Sequence, residues 1–172
     1  MADRFGRPHL HVPQPTLTVE TWTLDALRDG GHLDGVDYMK VDVEGAELDV
    51  LKAGRTVLQD CVALKVECSF LPQRVHQPLI WDVVPFLAAE GFEVVDLQDI
   101  HHWRRRNLPA HPYRVRAEMA YSRGQVAQCD VILLRSSATT HNMEQALRLV
   151  VLSAALGFFD FAFEVVRGRP EL

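Results

Sequence analysis

The chain has 172 residues, of which 48% are hydrophobic and 24% charged, and these values are typical of a folded domain with a core of its own. The net charge is −5 and the pI about 5.9, which disfavours general nucleic-acid binding because no chain-wide basic surface exists. The most apolar run, residues 149–159, is shorter than the roughly 20 residues that a membrane-spanning helix needs, so no membrane span is predicted.

The cysteines and histidines show no metal-ligand spacing. Cys61, Cys68 and Cys129 form neither a CxxC pair nor a cluster with histidines. An odd number of cysteines suits reduced thiols in the cytoplasm, where free cysteines are usually small buried hydrophobic residues. The histidines are scattered apart from an adjacent pair at residues 101–102. We therefore predict a cytoplasmic protein without a metal site.

The first predicted elements are a strand and a short helix. Residues 1–18 contain charges and prolines without an apolar core, which indicates an extended lead and no secretory signal. Residues 17–22 alternate apolar and polar side chains, a pattern that predicts a half-buried strand. Thr23 is a suitable cap for a short helix that ends at the glycine pair of residues 30–31.

A strand, an acidic turn and a helix are predicted next. Residues 36–43 are rich in β-formers, and the apolar positions of residues 46–53 share one helical face. Gly54 stands where a C-terminal cap of this helix is expected. Residues 61–68 (CVALKVEC) have the composition of a second buried strand.

The third unit consists of a helix and two further strands. Residues 79–87 carry apolar side chains at helical spacing, and Pro85 is expected to kink or restart that helix. Residues 92–97 and 130–134 are predicted strands. The polar segment between them, residues 98–128, shows no clear periodicity and is predicted to be a long loop of the kind that is often functional.

Two helices, over residues 142–156 and 158–166 with a hinge at Gly157, are predicted to form a C-terminal helical hairpin. The alternation of strands and helices ahead of them predicts an α/β layer fold. Three regions follow from this pattern: the extended lead, a main domain over residues 19–137, and a helical extension over residues 138–172.

Acidic side chains follow two of the predicted strands. Asp42, Glu44 and Glu47 follow the first, and Glu67 lies at the end of the second. Ligands of open α/β sheets bind beyond the carboxyl ends of the parallel strands. These four carboxylates are therefore the best candidates for a functional site.

The same region resembles a known family. The run VDYMKVDVEGAELDVLKAG at residues 36–54 is the specific part, with the segment from Lys40 to Glu47 at its centre. Together with Thr23-Leu24-Asp25 before it, Val66-Glu67 after it and a helix that closes on Gly91-Phe92, it resembles the back half of FkbM-type S-adenosylmethionine-dependent methyltransferases. The resemblance covers residues 19–97, with residues 130–135 as a final strand.

The resemblance implies a Rossmann-like class I methyltransferase sheet and the transfer of a methyl group from S-adenosylmethionine. The usual acceptor would be a hydroxyl oxygen of a sugar, a polyketide or a similar small natural product. Such a displacement needs alignment, a dry site and a group that receives the hydroxyl proton. Asp42, Glu44 and Glu47 are the expected catalytic residues, and Lys40 and Glu67 are expected to contact the acceptor.

Several of these residues also have structural interpretations. Lys40 either pairs with one of the acids or extends from a sheet edge. Asp25 matches the family and is also suited to capping a helix. Gly45 either takes a positive φ in a tight turn or lets a ligand approach the backbone. Glu44 and Glu47 precede or begin a helix, so they also complement its positive end.

A basic and aromatic segment lies inside the predicted loop. Residues 101–106 read His-His-Trp-Arg-Arg-Arg, and Arg114 and Arg116 follow. Trp103 and Arg104 are expected to grip an acidic or sugar acceptor or to cover the site as a lid. The alternative is a solvated charge run on a surface loop.

The sequence departs from the family pattern before Val19. A glycine-rich turn after a first strand normally binds the cofactor, and the glycines at residues 30, 31 and 35 follow a helix and do not open one. The cofactor-binding residues are thus unknown, and three explanations stay open: a fragment or mis-started frame, a chain completed by another, or a degenerate protein. We expect this chain alone to be inactive and an exposed sheet edge to favour association.

Two other functions compete with methyl transfer. Asp42 and Glu44 are spaced like a two-carboxylate magnesium site of a phosphodiesterase, which would need downstream partners such as Asp96, Asp99 and His101. The other alternative is a non-catalytic interaction module whose α/β body and helical tail only form a docking surface.

Overall fold

The computed structural model describes residues 17–105 and 123–170. This part of the chain forms an α/β fold with one four-stranded mixed sheet. The elements in chain order are α1 (Leu24–Asp29), β1 (Tyr38–Val41), α2 (Glu47–Lys52), α3 (Arg55–Asp60), β2 (Ala63–Ser69), α4 (Ile80–Ala89), β3 (Phe92–Trp103), β4 (Gln125–Arg135), a 3-10 turn (Ser137–Thr139), α5 (Met143–Ala155) and α6 (Phe159–Arg167).

The strand order in the sheet is β1-β2-β4-β3. β1 pairs with β2 in parallel, whereas β4 is antiparallel to both of its neighbours. It follows that β1, β2 and β3 run in the same direction, with β4 inserted between β2 and β3. The carboxyl ends of these three strands therefore lie at the same edge of the sheet, which we call the carboxyl edge.

One face of the sheet packs against α2, α3 and α4, and it holds the larger core. Leu64, Val66 and Val131 supply the sheet side of this core. The helices contribute fully buried leucines and valines: Leu51, Val57, Leu58, Val83 and Leu87. The predicted core role of the cysteines is confirmed, since Cys61, Cys68 and Cys129 are buried and free.

The opposite face of the sheet is only partly covered by helices. Ala63 and Leu134 pack there against Ala146 and Leu149 of α5 and Val165 of α6. Because side chains alternate along a strand, the following odd-numbered residues of β2 point to this same face. Beyond the two helices, toward the carboxyl edge, this face carries charged side chains.

The helix start at Thr23 is confirmed, and Asp25 has a role in a different helix. The Thr23 hydroxyl accepts a hydrogen bond from the Ala26 N–H at 3.1 Å and so caps α1. The Asp25 carboxylate instead accepts from the backbone N–H groups of Thr56 and Val57, at 3.0 and 3.1 Å, in the first turn of α3. Asp25 therefore joins α1 to α3.

The predicted strand at residues 17–22 is absent from the structure. This segment is exposed and unpaired, with Leu17 at 86% exposure and Trp22 at 58%. The alternating pattern was a poor guide because a strand is stable only when a neighbouring strand accepts its backbone hydrogen bonds. None of the described strands lies beside it.

Gly54 is not itself the C-terminal cap that the pattern predicted. The C-cap of α2 is Ala53, and Gly54, which follows it, is the N-cap of α3, a helix that the pattern did not predict. A side chain at Gly54 would meet Leu24 at 2.7 Å, so the close approach of α1 explains the glycine. Pro85 lies within α4, which continues unbroken to Ala89.

The two ends of the long loop predicted for residues 98–128 belong to strands. β3 extends to Trp103 and β4 begins at Gln125, with Trp103 opposite Gln125 in the antiparallel register. Register shifts in β3 accommodate polar residues such as Asp99, which has a positive φ of 50°. These strand ends were not predicted because they are polar and because their pairing depends on a partner strand distant in sequence.

Two C-terminal helices are present where the sequence predicted them. The Asn142 side chain accepts from the Gln145 N–H at 2.8 Å and caps α5. Gly157 takes a φ of 94° between α5 and α6, which glycine alone adopts easily. The side chain of Gln145, in turn, donates to the Gln59 carbonyl at the end of α3.

Candidate functional site

The four acidic candidates lie together at the carboxyl edge. Asp42 and Glu44 follow β1, Glu47 begins α2, and Glu67 lies near the end of the adjacent β2. The parallel pairing of β1 with β2 brings them together, as expected from the strand ends. The burial and partners of each carboxylate differ, and these differences determine which of them is available for chemistry.

The turn between β1 and α2 has an unusual backbone. Glu44 has a φ of 59° and Gly45 a φ of 107°, so the predicted positive φ at Gly45 is confirmed and extends to its neighbour. Glu47 holds this turn: its Oε1 accepts hydrogen bonds from the Val43 N–H at 3.1 Å and the Gly45 N–H at 2.8 Å. Because Glu47 is only 4% exposed, its main visible role is to brace the turn.

Lys40 satisfies both of its proposed interpretations. It extends from β1, which has no strand on its other side within the described residues, and its Nζ lies 2.8 Å from Asp42 Oδ2. Both side chains are partly solvated. The hydrogen bond and the charge of Asp42 raise the pKa of Lys40, so Lys40 neutralises Asp42 across the whole physiological range.

Glu44 is paired with an arginine from another loop. Arg74 lies between β2 and α4, and its guanidinium is 2.6 Å from Glu44 Oε2. The Glu44 side chain is largely exposed, so the ion pair is a surface contact worth less than about 1 kcal/mol. The pair nevertheless connects the two loops that border the site.

Glu67 is partly buried between β1 and β4. Its Oε1 accepts a hydrogen bond from Gln128 Nε2 at 2.9 Å. No donor in the described part of the chain reaches its other oxygen, Oε2, and no cation pairs with it there. Burial, followed by the charges of Asp42 and Glu44, raises the pKa of Glu67 to about 7.

A network of amide side chains continues from Glu67. Gln73 Nε2 donates to Gln128 Oε1 at 2.6 Å, so Gln73, Gln128 and Glu67 form a chain of hydrogen bonds. Ser69 Oγ accepts from both Gln73 and Gln77, and Ser69 is only 4% exposed. Gln77 also accepts from the Gln73 N–H at 2.8 Å, which fixes the loop after β2. Such a fully connected network holds its members in fixed positions.

A second charged group lies on the same face, on the side of β4. Asp130 pairs with Glu67 in the strand register, and its carboxylate lies 2.9 Å from Lys65 Nζ. Lys65 also contacts Asp99 of β3 at 3.4 Å. The hydrogen bond that Lys65 donates to Asp130 is the main reason that the pKa of Lys65 is raised. Asp130 is thus neutralised by Lys65, just as Asp42 is neutralised by Lys40.

Only the first part of the predicted basic and aromatic segment lies in the described residues. Trp103 is buried in a small cluster with Leu71 and Ala127 at the end of β3, so its predicted contact with an acceptor is not what the structure shows. Arg104 follows the strand and is exposed. Residues 106, 114 and 116 lie outside the described residues.

The alternative magnesium site does not assemble. Asp42 and Glu44 follow β1, whereas Asp96, Asp99 and His101 lie on β3, three strands away. With neighbouring strands just under 5 Å apart, these groups are separated by about 14 Å, far beyond the reach of one metal ion. Among the residues that the structure describes, no group of three His, Cys, Asp or Glu side chains could hold a metal.

Seven residues of the site were not predicted from the sequence. They are Lys65, Ser69, Gln73, Arg74, Gln77, Gln128 and Asp130. Polar residues at alternating positions within the apolar β4 run, Gln128 and Asp130, were the available signal. That signal could be interpreted only after β4 was known to pair with β2.

Comparisons with known proteins agree with this geometry. The family model described as methyltransferase FkbM domain matches residues 4–104, which is more than half of the chain and extends the resemblance toward the N-terminus. No curated protein and no solved structure gives a significant match. None of the described helices is both long enough and apolar enough to cross a membrane. The chain belongs to the FkbM methyltransferase domain family.

Proposed function

We propose that this chain takes part in the transfer of a methyl group from S-adenosylmethionine to a hydroxyl oxygen of a sugar or similar natural product. The family supports methyl transfer in general. The observation that carries the finer proposal is the group of carboxylates around Glu67 at the carboxyl edge, where α/β sheets bind ligands. Carboxylates are suited to hold a hydroxyl group and to receive its proton.

The fold supports the proposal that the sheet is an incomplete Rossmann-like one. Helical segments connect β1 to β2 and β2 to β3, and all three strands are parallel. β1 has a free edge in the described part of the chain, where further strands of a larger sheet, or another chain, could pair. In this proposal Asp42 and Lys40 lie beside the acceptor, and Glu44 with Arg74 borders it.

The described residues fit the acceptor side of this reaction better than the cofactor side. The turn at Gly45 leaves no cradle for a ligand, because a Cβ there would meet Arg74 and Gln77 at 3.3 Å. No glycine-rich turn precedes Val19 in the sequence. We therefore expect the 172 residues alone to bind S-adenosylmethionine weakly and to be inactive. When bound, the cofactor supplies an electrophilic methyl group, and the residues above hold the acceptor.

We further propose that α5 and α6 form a hairpin that shields one sheet face, which makes residues 138–172 an extension of the main domain at 19–137. The contacts of Ala63 and Leu134 with both helices support this division. The buried cysteines are consistent with a cytoplasmic location, which completes the proposal.

Calorimetry with S-adenosylmethionine tests the central part of this proposal. The 172-residue chain is compared with a version extended at its N-terminus by a strand, a glycine-rich turn and a helix. We expect measurable heat only from the extended version. That version should also transfer a radiolabelled methyl group to at least one member of a panel of sugars and polyketides.

A matched pair of variants links the transfer to the carboxyl edge. Asp42→Asn should lower the rate of transfer, whereas Glu93→Gln, an exposed carboxylate of β3, should leave it unchanged. Equal cofactor binding by both chain lengths would show that our view of the cofactor side is wrong. Binding without transfer to any hydroxyl acceptor would contradict the proposed acceptor class.

A further inference from the structure

We infer that Glu67 is the group that accepts the proton of the acceptor hydroxyl, with Gln128 holding one carboxylate oxygen so that the other is left for the acceptor. This inference rests on the proposed methyl transfer and adds a specific role to it. Glu67 was predicted only as a contact to the acceptor, while the proton was assigned to Asp42, Glu44 or Glu47. The hydrogen-bond and ion-pair partners of the carboxylates indicate instead that Glu67 takes the proton.

The carboxylates next to Glu67 are all engaged elsewhere. Asp42 forms an ion pair with Lys40 at 2.8 Å, and Glu44 forms one with Arg74 at 2.6 Å. Each of these two carboxylates already directs an oxygen at a cation. A hydroxyl group of the acceptor would therefore have to compete with that cation for the carboxylate.

The remaining two carboxylates are also committed. Glu47 is buried, and its Oε1 accepts two backbone N–H groups of the β1–α2 turn. Asp130, opposite Glu67 in the register, is neutralised by Lys65 at 2.9 Å. Glu67 differs from these carboxylates because no cation and no backbone N–H of the described residues contacts it.

The position of Glu67 matches the role geometrically. Glu67 lies near the end of β2. Its side chain is on the sheet face that α5 and α6 leave uncovered toward the carboxyl edge. Gln128 fixes Oε1 and is itself fixed by Gln73, so the carboxylate is held in place while remaining partly exposed. A held, partly exposed oxygen at a ligand-binding edge is what a proton acceptor requires.

The electrostatic surroundings agree with the geometry. The groups that face Glu67 are Asp42 and Glu44 from the turn, Glu47 from α2 and Asp130 from β4, and all four disfavour a negative charge on Glu67. Together with burial they raise the pKa of Glu67 to about 7. A group with this pKa is a stronger base than an ordinary glutamate and can still release its proton to water at neutral pH.

The proton moves from the acceptor hydroxyl to Glu67 and then to water. The O–H bond of the acceptor breaks, its electron pair stays on the oxygen, and the proton bonds to Glu67 Oε2. With the cofactor bound, this electron pair would form the new bond to the methyl group, and the sulfonium sulfur would keep the electron pair of the broken C–S bond. Glu67 finally returns to its carboxylate form by giving the proton to water.

Chemical labelling of the 172-residue chain tests this assignment without any activity assay. A small water-soluble diazo reagent esterifies carboxyl groups that carry a proton and are accessible, and peptide mass spectrometry locates the esters. At pH 7 we expect Glu67 to be labelled on the order of a hundred-fold more than Glu93, because about half of the Glu67 carboxyl groups but very few ordinary glutamates carry a proton at this pH. Glu93 is the exposed control.

Two variants test the cause of the effect. Asp42→Asn removes a neighbouring negative charge, so the labelling of Glu67 should fall off at a lower pH than in the parent chain. Gln128→Leu removes the only side-chain donor to Glu67 in the described part of the chain, so the labelling should persist to a higher pH. Circular dichroism at each pH verifies that the variants remain folded.

Labelling of Glu67 at the same rate as Glu93 would overturn the inference, and so would a labelling profile that neither variant shifts. In the extended chain, Glu67→Gln should lower kcat on the order of a hundred-fold with little change in KM, while Glu67→Asp retains part of the activity. An unchanged kcat would also overturn it. If labelling singles out Glu67 but the extended chain never transfers a methyl group, the proposed function fails and the unusual protonation of Glu67 stands.

Discussion

Ionisable groups at the two ends of the sheet differ in burial and in the number of their hydrogen-bond partners. At the amino ends of the parallel strands, Arg135 is 2% exposed and every part of its guanidinium group has a partner. At the carboxyl edge, Glu67 is partly exposed and accepts from a single amide donor among the described residues. The first arrangement stabilises the fold, whereas the second leaves a reactive group available.

Arg135 connects three helix and strand ends. Its Nε donates to the Cys61 carbonyl at 2.7 Å, and its other nitrogens donate to the carbonyls of Leu58 and Glu90, where α3 and α4 end. The guanidinium also lies 4.4 Å from the centre of the Phe92 ring. A cation at helix C-termini is favourable because the unpaired carbonyls there carry partial negative charge. Burial lowers the pKa of Arg135, yet an arginine remains charged.

The largest effect that we expect is the destabilisation caused by Arg135→Met. The methionine fills much of the same volume but leaves the carbonyls of Leu58, Cys61 and Glu90 without this donor. The free energy of unfolding should fall by about 3 kcal/mol, since each buried unsatisfied group costs about 1 kcal/mol or more. Urea unfolding followed by circular dichroism measures the change.

Arg55→Met is the matched control for this substitution. Arg55 pairs with the Glu90 side chain at 3.0 Å, but its own side chain is 60% exposed. Such a surface pair contributes less than about 1 kcal/mol. Equal losses from both substitutions would remove the contrast between a buried, fully bonded arginine and an exposed one.

The second prediction concerns the carboxyl edge and pH. The folded-state pKa of Glu67 is about 7, above its ordinary value of 4.5, so the folded chain binds this proton more tightly than the unfolded chain does. The contribution of Glu67 to stability is therefore full below pH 4.5 and is lost as the pH rises through 7. Glu67→Gln, which cannot ionise, should be more stable than the parent chain at pH 8 by about 1 to 2 kcal/mol, because partial solvation weakens the effect.

The stability difference between Glu67→Gln and the parent chain should grow steadily from pH 5 to pH 8. Urea unfolding at each pH measures it, and Glu93→Gln should show no such trend because Glu93 is exposed. A stability difference that stays constant from pH 5 to pH 8 would contradict the raised pKa of Glu67, and with it the contrast between the two ends of the sheet.

The smallest predicted effect belongs to Asp25. Asp25→Ala removes the side-chain cap that the Thr56 and Val57 N–H groups use at the start of α3, the helix whose other end Arg135 binds. We expect a loss of about 1 kcal/mol, as is usual for helix caps. Asp29→Ala, an exposed residue at the end of α1, is the control and should change stability by less than about 0.5 kcal/mol. A thermal melt that shows equal losses would contradict the capping role.

Local patterns predicted the helices and most strands but failed where long-range pairing decides the structure. Thr23 and Asn142 cap helices as expected, since a cap depends on only a few neighbouring residues. Residues 17–22 alternate well but find no partner strand, whereas the polar end of β3 becomes a strand because β4 pairs with it. No periodicity within a single segment contains that information.

Predictions about the site also succeeded for local features and failed where contacts from distant parts of the chain decide. The clustering of Asp42, Glu44 and Glu67 was predictable because strand ends of parallel strands meet. Their separate roles were not, because those roles depend on Arg74 and Gln128, which contact the site from elsewhere in the chain. Glu67 has neither a cation nor a backbone N–H partner among the described residues, and this could be recognised only from the assembled sheet.

The measurement that tests the central claim most directly is the titration of the Glu67 side chain by NMR. The chain is labelled with carbon-13 at the glutamate carboxyl carbons, and Glu67→Gln identifies the signal. We predict a midpoint of about 7 for Glu67. A midpoint close to the ordinary value of 4.5 would contradict the claim that the carboxyl edge keeps one carboxylate ready to accept a proton.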